Sequence, residues 1–309
     1  MTDLSAALST TKTLATQHAA LGLPSNTDPT AQPKDASPAA VAFAAARRLG
    51  FIPADAACVA QAWQRQTERT GQFDASHWPD HPDDFGLQTQ RSDQAFPAAP
   101  HALGVYAVLP DAQWVGRMAR AGLPTVQLRF KSSDGAAVQR EITAAIEAVQ
   151  GTDAHLYIND HWEAAIEAGA YGVHLGQEDL DLLSPADLAR LRASGCRLGV
   201  STHGYAEMLR AESIQPSYIA LGAVFPTTLK AMPTPPQGLA RLGAYARLLQ
   251  HRPLVAIGGI DASHLPAIAQ TGVGSFAVVR AITGAEQPEE AAQALMTAWE
   301  QAKATAATV

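Results

Sequence analysis

The chain has 309 residues, more than one small core needs and enough for one large domain with an appendage. Its net charge of −7 excludes a general nucleic-acid binder, because no global positive field exists, while leaving room for a local cationic pocket that takes a small anion. Cys58 and Cys196 lie far apart with no CxxC or His-rich spacing, which argues against a disulfide framework or a zinc site and for two small buried or half-buried side chains.

The start, Met1-Thr-Asp-Leu, lacks a basic segment followed by a long apolar one, and no apolar run reaches a membrane span. A cytoplasmic protein without membrane association is therefore expected. Residues up to about Ser37 read as loosely structured, with a Pro/polar stretch from Thr27 to Pro38. An Ala-rich helix is predicted over Ala39–Leu49, stopped by Gly50, and a second over Ala54–Thr67 with Val59 and Trp63 on one face. Ser76–Pro100, rich in Pro, Asp and His, has no clear period and reads as a connector. The chain thus divides into an extension over 1–102, partly disordered with short helices, and a second domain over 103–309.

After Leu103 short β-branched runs alternate with Ala/Leu/Glu-rich helical stretches. Strands are predicted at Val105–Leu109, Thr125–Arg129, Leu156–Asn159, Gly172–Leu175, Arg197–Val200, Tyr218–Gly222, Leu254–Ile257 and Ser275–Val279. Helical patterns fall at Ala136–Val149, Trp162–Ala168, Pro185–Ala193, Tyr205–Ala211, Leu239–Leu249, Ala262–Gln270 and Pro288–Lys303. This alternation implies parallel βαβ units, and eight of them in this length suit a (β/α)8 TIM barrel. A doubly wound open sheet is weakened by the absence of a GxGxxG turn after the first strand.

The strand ends carry the chemistry. In Thr125-Val-Gln-Leu-Arg-Phe-Lys131, alternation puts Val126, Leu128 and Phe130 on one face and Gln127, Arg129 and Lys131 on the other. Two cations facing a barrel interior are costly unless paired, either by carboxylates on neighbouring strands or by an anionic ligand at the C-terminal mouth. The ligand fits two cations plus an amide better. Ile158-Asn159-Asp160 and Val173-His-Leu-Gly-Gln-Glu-Asp179 end the next two strands, so Asp160 and Asp179 lie side by side. Together they suit Mg²⁺, which takes one or two carboxylates plus substrate phosphate oxygens; each alone also suits a helix or turn cap. Glu178 and Asp181 read as solvated, and His174 as a satisfied core histidine. In Gly199-Val-Ser-Thr-His203, Ser201 and Thr202 suit caps, and Ser201 a ligand contact as well. The long loop from Phe225 through Lys230 to the Pro-rich Met232–Gln237 suits a lid. Ile257-Gly-Gly-Ile260 and Val279-Arg280 follow the last two strands, where barrels often bind phosphate on backbone N–H groups.

These segments, together with Gly222-Ala-Val-Phe-Pro-Thr227, Lys230 and Ala256-Ile-Gly-Gly-Ile260, resemble the ordered motif set of the thiamine phosphate synthase family over roughly residues 103 to 303. The resemblance implies that a hydroxymethylpyrimidine diphosphate is joined to the ring nitrogen of a thiazole phosphate, releasing pyrophosphate. It implies that Gln127, Arg129, Lys131 and Asn159 hold the pyrimidine diphosphate, and that Asp160 and Asp179 hold Mg²⁺. Ser201 and Lys230 then reach the pyrophosphate side, and Thr227, Gly259, Val279 and Arg280 hold the thiazole phosphate. Arg129, Lys131, Ser201 and Lys230 are the expected catalytic set. No general base is required, since the thiazole nitrogen brings its own lone pair, and the lack of an obvious nucleophile–His pair fits.

Two positions depart from the family pattern. Leu229 stands where a second Thr is usual, removing one hydroxyl contact to the thiazole phosphate, and Arg280 stands where Ser is common. The extension vaguely resembles the tail of pyrimidine phosphate kinases but lacks their Gly-rich anion loop, so a helical appendage or an oligomer contact is expected rather than kinase activity. Because every candidate ligand residue begins at Gln127, the chain before about Pro100 is expected to be dispensable for chemistry. Two rivals share the resemblance. One is a thiazole tautomerase-like relative with His203 as acid/base, which would not need a diphosphate clamp. The other is a thiamine-phosphate binding protein without turnover, favoured only by Leu229.

Overall fold

The N-terminal hundred residues contain more helix than their composition suggests. In the computed structural model, which describes residues 2–227 and 234–308, the chain begins with α1 (Thr2–Gln17), followed by α2 (Pro38–Arg48) and α3 (Pro53–Thr70). The first helix corrects the expectation of loose structure up to Ser37. Its Ser/Thr-rich run has weak helix propensity, but Ala7, Thr11 and Leu14, spaced four and three apart, form one buried stripe. The Thr11 hydroxyl donates back to the Ala7 carbonyl at 2.9 Å, so its polar group is satisfied inside the helix. Tertiary burial overrides local propensity here. α2 and α3 match prediction, with Ser37 accepting from the Ala40 N–H, Pro38 and Pro53 in their first turns, and Gly71 closing α3 at φ 79°.

Residues 76–100 are irregular apart from a 3-10 turn at Pro82–Phe85, yet they do not form a free connector. Trp78, Phe85, Leu87 and Phe96 are buried, and Gln215 of the barrel accepts from the Ser92 N–H at 2.8 Å. The Phe96 N–H donates to the Gln215 carbonyl at 3.0 Å. This stretch is a strap along the barrel wall.

Eight parallel strands then close on themselves: β1 (Gly104–Leu109), β2 (Thr125–Leu128), β3 (His155–Asn159), β4 (Gly172–Leu175), β5 (Arg197–Thr202), β6 (Tyr218–Leu221), β7 (Leu254–Ile257) and β8 (Ser275–Val278). Each pairs with its neighbour in sequence order, and β8 returns to β1 with Tyr106 opposite Ala277. Around them lie α4 (Ala112–Arg120), α5 (Gly135–Ala148), α6 (Trp162–Glu167), α7 (Gln177–Leu182), α8 (Pro185–Ala193), α9 (Tyr205–Ser213), α10 (Gly238–Leu248), α11 (Leu265–Ala269), α12 (Arg280–Thr283) and α13 (Pro288–Ala306). This is the (β/α)8 TIM barrel that the alternation predicts. No helix among the described residues is long and apolar enough to cross a membrane.

The barrel has two apolar layers. Outward strand residues such as Val126, Leu128, Ile158 and Leu198 pack beneath the helices, in one cluster with Leu14, Trp63 and Phe85 of the extension. The interior is filled by Tyr106, Tyr157 and Tyr218 with smaller residues above and below. Gly172 and Gly199 make room for these rings: a Cβ at Gly172 would lie 2.6 Å from the Tyr157 ring, and one at Gly199 2.1 Å from that of Tyr218. The tyrosine layer floors the mouth where the site lies.

Candidate active site

Strand parity brings Tyr106, Gln127, Asn159, His174, Ser201 and Tyr218 into the interior from six strands, where they form one hydrogen-bonded chain. Gln127 donates to Asn159 Oδ1 at 2.8 Å and accepts from the Tyr106 hydroxyl at 2.8 Å. Tyr106 and Tyr218 share a hydroxyl–hydroxyl bond of 2.8 Å. Tyr218 meets His174 Nδ1 at 2.7 Å, and His174 Nε2 meets Ser201 Oγ at 2.8 Å. Burial pushes the Tyr106 and Tyr218 phenols far up, so both are neutral. His174 is buried and satisfied, as expected, but it also lines the mouth pocket, and its bond to Ser201 overturns the expected lack of a hydroxyl–histidine pair. Its even spacing from Gly172 along β4 was the available signal, since both then face inward.

Above this floor is a cavity of about 780 Å³ at the C-terminal ends of the strands. Gln127, Arg129 and Lys131 line one side, as the alternation in β2 and beyond predicts. The strand itself stops at Leu128, although the Arg129 N–H still donates to the Leu109 carbonyl at 2.7 Å. No ion pair holds Arg129 or Lys131 among the described residues. An internal salt-bridge network therefore does not account for them.

Asn159, Asp160 and Asp179 stand next to these cations. Asp160 is not a helix cap: it takes φ 62°, and His161 occupies the N-cap position of α6. The left-handed backbone is uncommon outside Gly, Asn and Asp. Asp160 is open to solvent, but partial burial and then the Asp179 carboxylate push its carboxyl up, against the pull of Arg129, His161 and Lys131. Asp179 does act as a cap, since its Oδ2 accepts from the Gly176 N–H at 2.7 Å, and it also faces the pocket. Glu178 is exposed but lines the pocket too, and Asp181 pairs with Arg210 at 2.7 Å on the surface.

Ser201, Thr202 and His203 form the next wall. Neither hydroxyl caps α9: Thr202 donates to the Ala220 carbonyl, and Ser201 bonds His174. His203 is held by Glu207, whose Oε2 lies 2.7 Å from Nδ1 and accepts from the backbone N–H at 2.8 Å. Thr227, Gly259, Val279 and Arg280, after β6, β7 and β8, also line the pocket. Gly258 and Gly259 sit at φ 101° and 67°, and a Cβ on either would come within 2.5 Å of Ala223 or of the Pro226 carbonyl. Only glycine fits there. Thr228, Leu229 and Lys230, with the middle of the expected lid (228–233), lie outside the described residues. Every other predicted site residue lines this one cavity.

Fold and pocket define a class: a (β/α)8 barrel whose C-terminal mouth sets a cation-and-carboxylate wall against a glycine-rich one. The chain belongs to the thiamine monophosphate synthase family, whose profile matches residues 106–282. It is 54% identical over 205 residues to the thiamine-phosphate synthase of Neisseria meningitidis serogroup B, covering 66% of this chain and 98% of that protein. It is 51% identical over 190 residues to that of Serratia proteamaculans, covering 62% and 88%. Among solved structures, it is similar to the thiamine phosphate pyrophosphorylase from Pyrococcus furiosus, at 27% identity and a TM-score of 0.57, covering 65% of this chain and 96% of that one.

Proposed function

We propose that this chain condenses 4-amino-2-methyl-5-hydroxymethylpyrimidine diphosphate with 4-methyl-5-(2-phosphoethyl)thiazole, giving thiamine phosphate and pyrophosphate. The observation that carries this reading is the gathering in one pocket of Gln127, Arg129, Lys131, Asn159, Asp160, Asp179 and Ser201 from the ends of β2 to β5 with Thr227, Gly259, Val279 and Arg280 from the ends of β6 to β8. One anion-binding wall is thus available for each phosphorylated substrate, with the tyrosine floor between them. Membership of the family supports the same activity.

The reaction breaks the bond between the pyrimidine methylene and the diphosphate oxygen and forms one from that carbon to the thiazole nitrogen. The leaving diphosphate takes the electron pair of the broken bond, and the nitrogen lone pair makes the new one. Arg129 and Lys131 neutralise charge growing on the leaving group, and Lys230 joins them in this reading. Asn159 and Gln127 orient the pyrimidine half, their amides already fixed by the bonds to each other and to Tyr106. Ser201, held by His174, presents its hydroxyl to the diphosphate side. Thr227 and the backbone around Gly259 and Val279 seat the thiazole phosphate, and Arg280 adds a cation there.

The residues fit Mg²⁺: two carboxylates face one pocket, and burial and the neighbouring Asp179 push the Asp160 carboxyl up, a setting that a cation would relieve. An ion held by only these two carboxylates would be completed by substrate oxygens and water. Asp160 and Asp179 would hold it, and once bound it would offset the charge developing on the departing diphosphate. We place the enzyme in the cytoplasm, with the two small molecules as its partners, and assign the barrel from residue 103 as the synthase unit. Pyrophosphate release, measured with both substrates and Mg²⁺, tests the reading. Release should require both substrates; its absence with both present refutes the activity.

A further inference from the structure

The first turn of α9 begins at Gly204, a cap position with no side chain of its own. Helices leave their first N–H groups unpaired, and Ser, Thr, Asp or Asn at that position normally satisfies one of them. Here the acceptor comes from another part of the chain. Asp55, in the first turn of α3, accepts from the Ala206 N–H through Oδ1 at 2.9 Å, across a separation of 151 residues. Gly204 has φ 179°, a backbone any residue adopts, so conformation does not require glycine. Space does: a Cβ at this position would lie 2.2 Å from Asp55 Oδ2. The cap side chain is absent because a carboxylate from the extension occupies its place.

A second grip lies one residue away. Tyr205 stacks on Phe85 with ring centroids 5.1 Å apart, and its hydroxyl accepts from Trp78 Nε1 at 2.9 Å. Both partners belong to the strap. The segment held in this way leads directly back to Thr202 and His203 on the pocket wall, next to Ser201.

We propose that the N-terminal extension is a positioning element of the active site, with Asp55 capping α9 from outside the barrel and so fixing the Ser201–Gly204 segment at the pocket wall. Asp55 is not among the residues that line the pocket and acts through Ala206. The consequence for catalysis rests on the reading of this wall as the diphosphate side.

The test uses the full chain. In Asp55→Ala, amide hydrogen exchange over residues 203–207 should speed up by about tenfold, and KM for the pyrimidine diphosphate should rise by about tenfold with kcat changing less. Asp55→Asn keeps an acceptor and should stay within about threefold of wild type in both. The carboxylate can also be moved: Gly204→Asp alone should collide with Asp55, whereas Asp55→Gly combined with Gly204→Asp supplies the cap locally and should restore both readouts. This pair remains informative if Asp55→Ala fails to fold. Unchanged exchange in Asp55→Ala overturns the cap, and faster exchange with unchanged KM overturns the positioning role. If the wild type releases no pyrophosphate, the functional reading fails separately. Exchange and the binding of inorganic pyrophosphate with Mg²⁺ then decide the clamp, and equal affinity in wild type and Asp55→Ala counts against it.

Discussion

Two carboxylates of this protein are raised or crowded for different reasons, and each has its own test. Asp160 is pushed up by partial burial and by Asp179, an arrangement that a divalent cation would relieve. If both carboxylates hold Mg²⁺, Asp179→Asn should lower turnover by about 10²–10³-fold, the cost of losing one main electrostatic stabiliser. Asn can still accept from the Gly176 N–H, so the turn should survive. Full activity of this variant in excess chelator would refute the metal assignment. Asp55 instead is pushed from 3.8 to about 6 by burial, with the Ala206 N–H, Arg241 and His203 pulling it down and Glu207 adding to the rise. Cys58, Tyr205 and Tyr245 also face it, and burial holds all three above this window. The sign follows from proton binding. Below pH 3.8 both states hold the proton and the group contributes nothing. As pH rises towards about 6 the unfolded chain loses the proton first, so the folded state is increasingly penalised, by roughly 3 kcal/mol in full above that pH. Asp55→Asn lacks this penalty. Its stability relative to wild type, from urea unfolding, should therefore improve between about pH 4 and 6 and level off above. A difference that stays flat through that window contradicts the buried, charge-disfavouring setting of Asp55.

Among the elements, the interior strands show how packing and the polar network depend on each other. Tyr218 fits because Gly199 on the next strand has no side chain, and its hydroxyl links Tyr106 to His174. Gly199→Ala, with its new methyl carbon 2.1 Å from the ring, should cost about 1–3 kcal/mol of stability by overpacking. Tyr218→Phe keeps the packing but cuts the chain of hydrogen bonds between Gln127 and Ser201. It should lower turnover more than it lowers the melting temperature; the reverse order would reduce the network to a core feature. These strands were legible because alternation and β-branching repeat eight times, and each predicted strand lies within two residues of the observed one. The pocket was legible for the same reason, since parity at Gln127, Arg129 and Lys131 fixes which side chains face the mouth. α1 was not, because its helix depends on a tertiary stripe of Ala7, Thr11 and Leu14 that local propensity does not reveal. The hydroxyl–histidine pair and the Asp55 cap were not legible either. Each joins residues whose contact depends on closure of the barrel or on docking of the extension; spacing along β4 turns His174 inward but does not name Ser201 as its partner, and nothing in the spacing links Asp55 to α9.

At the scale of the whole molecule, the extension is built into the barrel wall. The Neisseria relative is matched over 98% of its length by 66% of this chain. In this chain the covered surface has matched itself to the cover. Arg241 of α10 is buried, donating from Nε to the Leu21 carbonyl at 2.9 Å and from Nη2 to the Leu49 carbonyl at 3.0 Å, with its guanidinium 3.6 Å from the centre of the Phe51 ring. Tyr205 packs between Phe51, Phe85 and Tyr245. Removing residues before about Ala102 would delete no described pocket residue, since the lining begins at Val108. It would also bare the apolar surface around Tyr205, which packs on Phe51 and Phe85, and strip Arg241 of two acceptors and a ring. A contiguous apolar patch of that kind drives association. The shortened chain should therefore melt several degrees lower, since each lost kcal/mol shifts a barrel of this size by about 2–4 °C, and should self-associate. Sedimentation and thermal unfolding, read beside pyrophosphate release, separate the contributions. Loss of stability with kinetic constants retained would make the extension a cover only. Loss of affinity for the pyrimidine diphosphate in a shortened chain that stays monomeric and folded would match the Asp55 clamp. An unchanged melting temperature in a monomeric, fully active shortened chain would mean that the barrel surface does not depend on the extension at all.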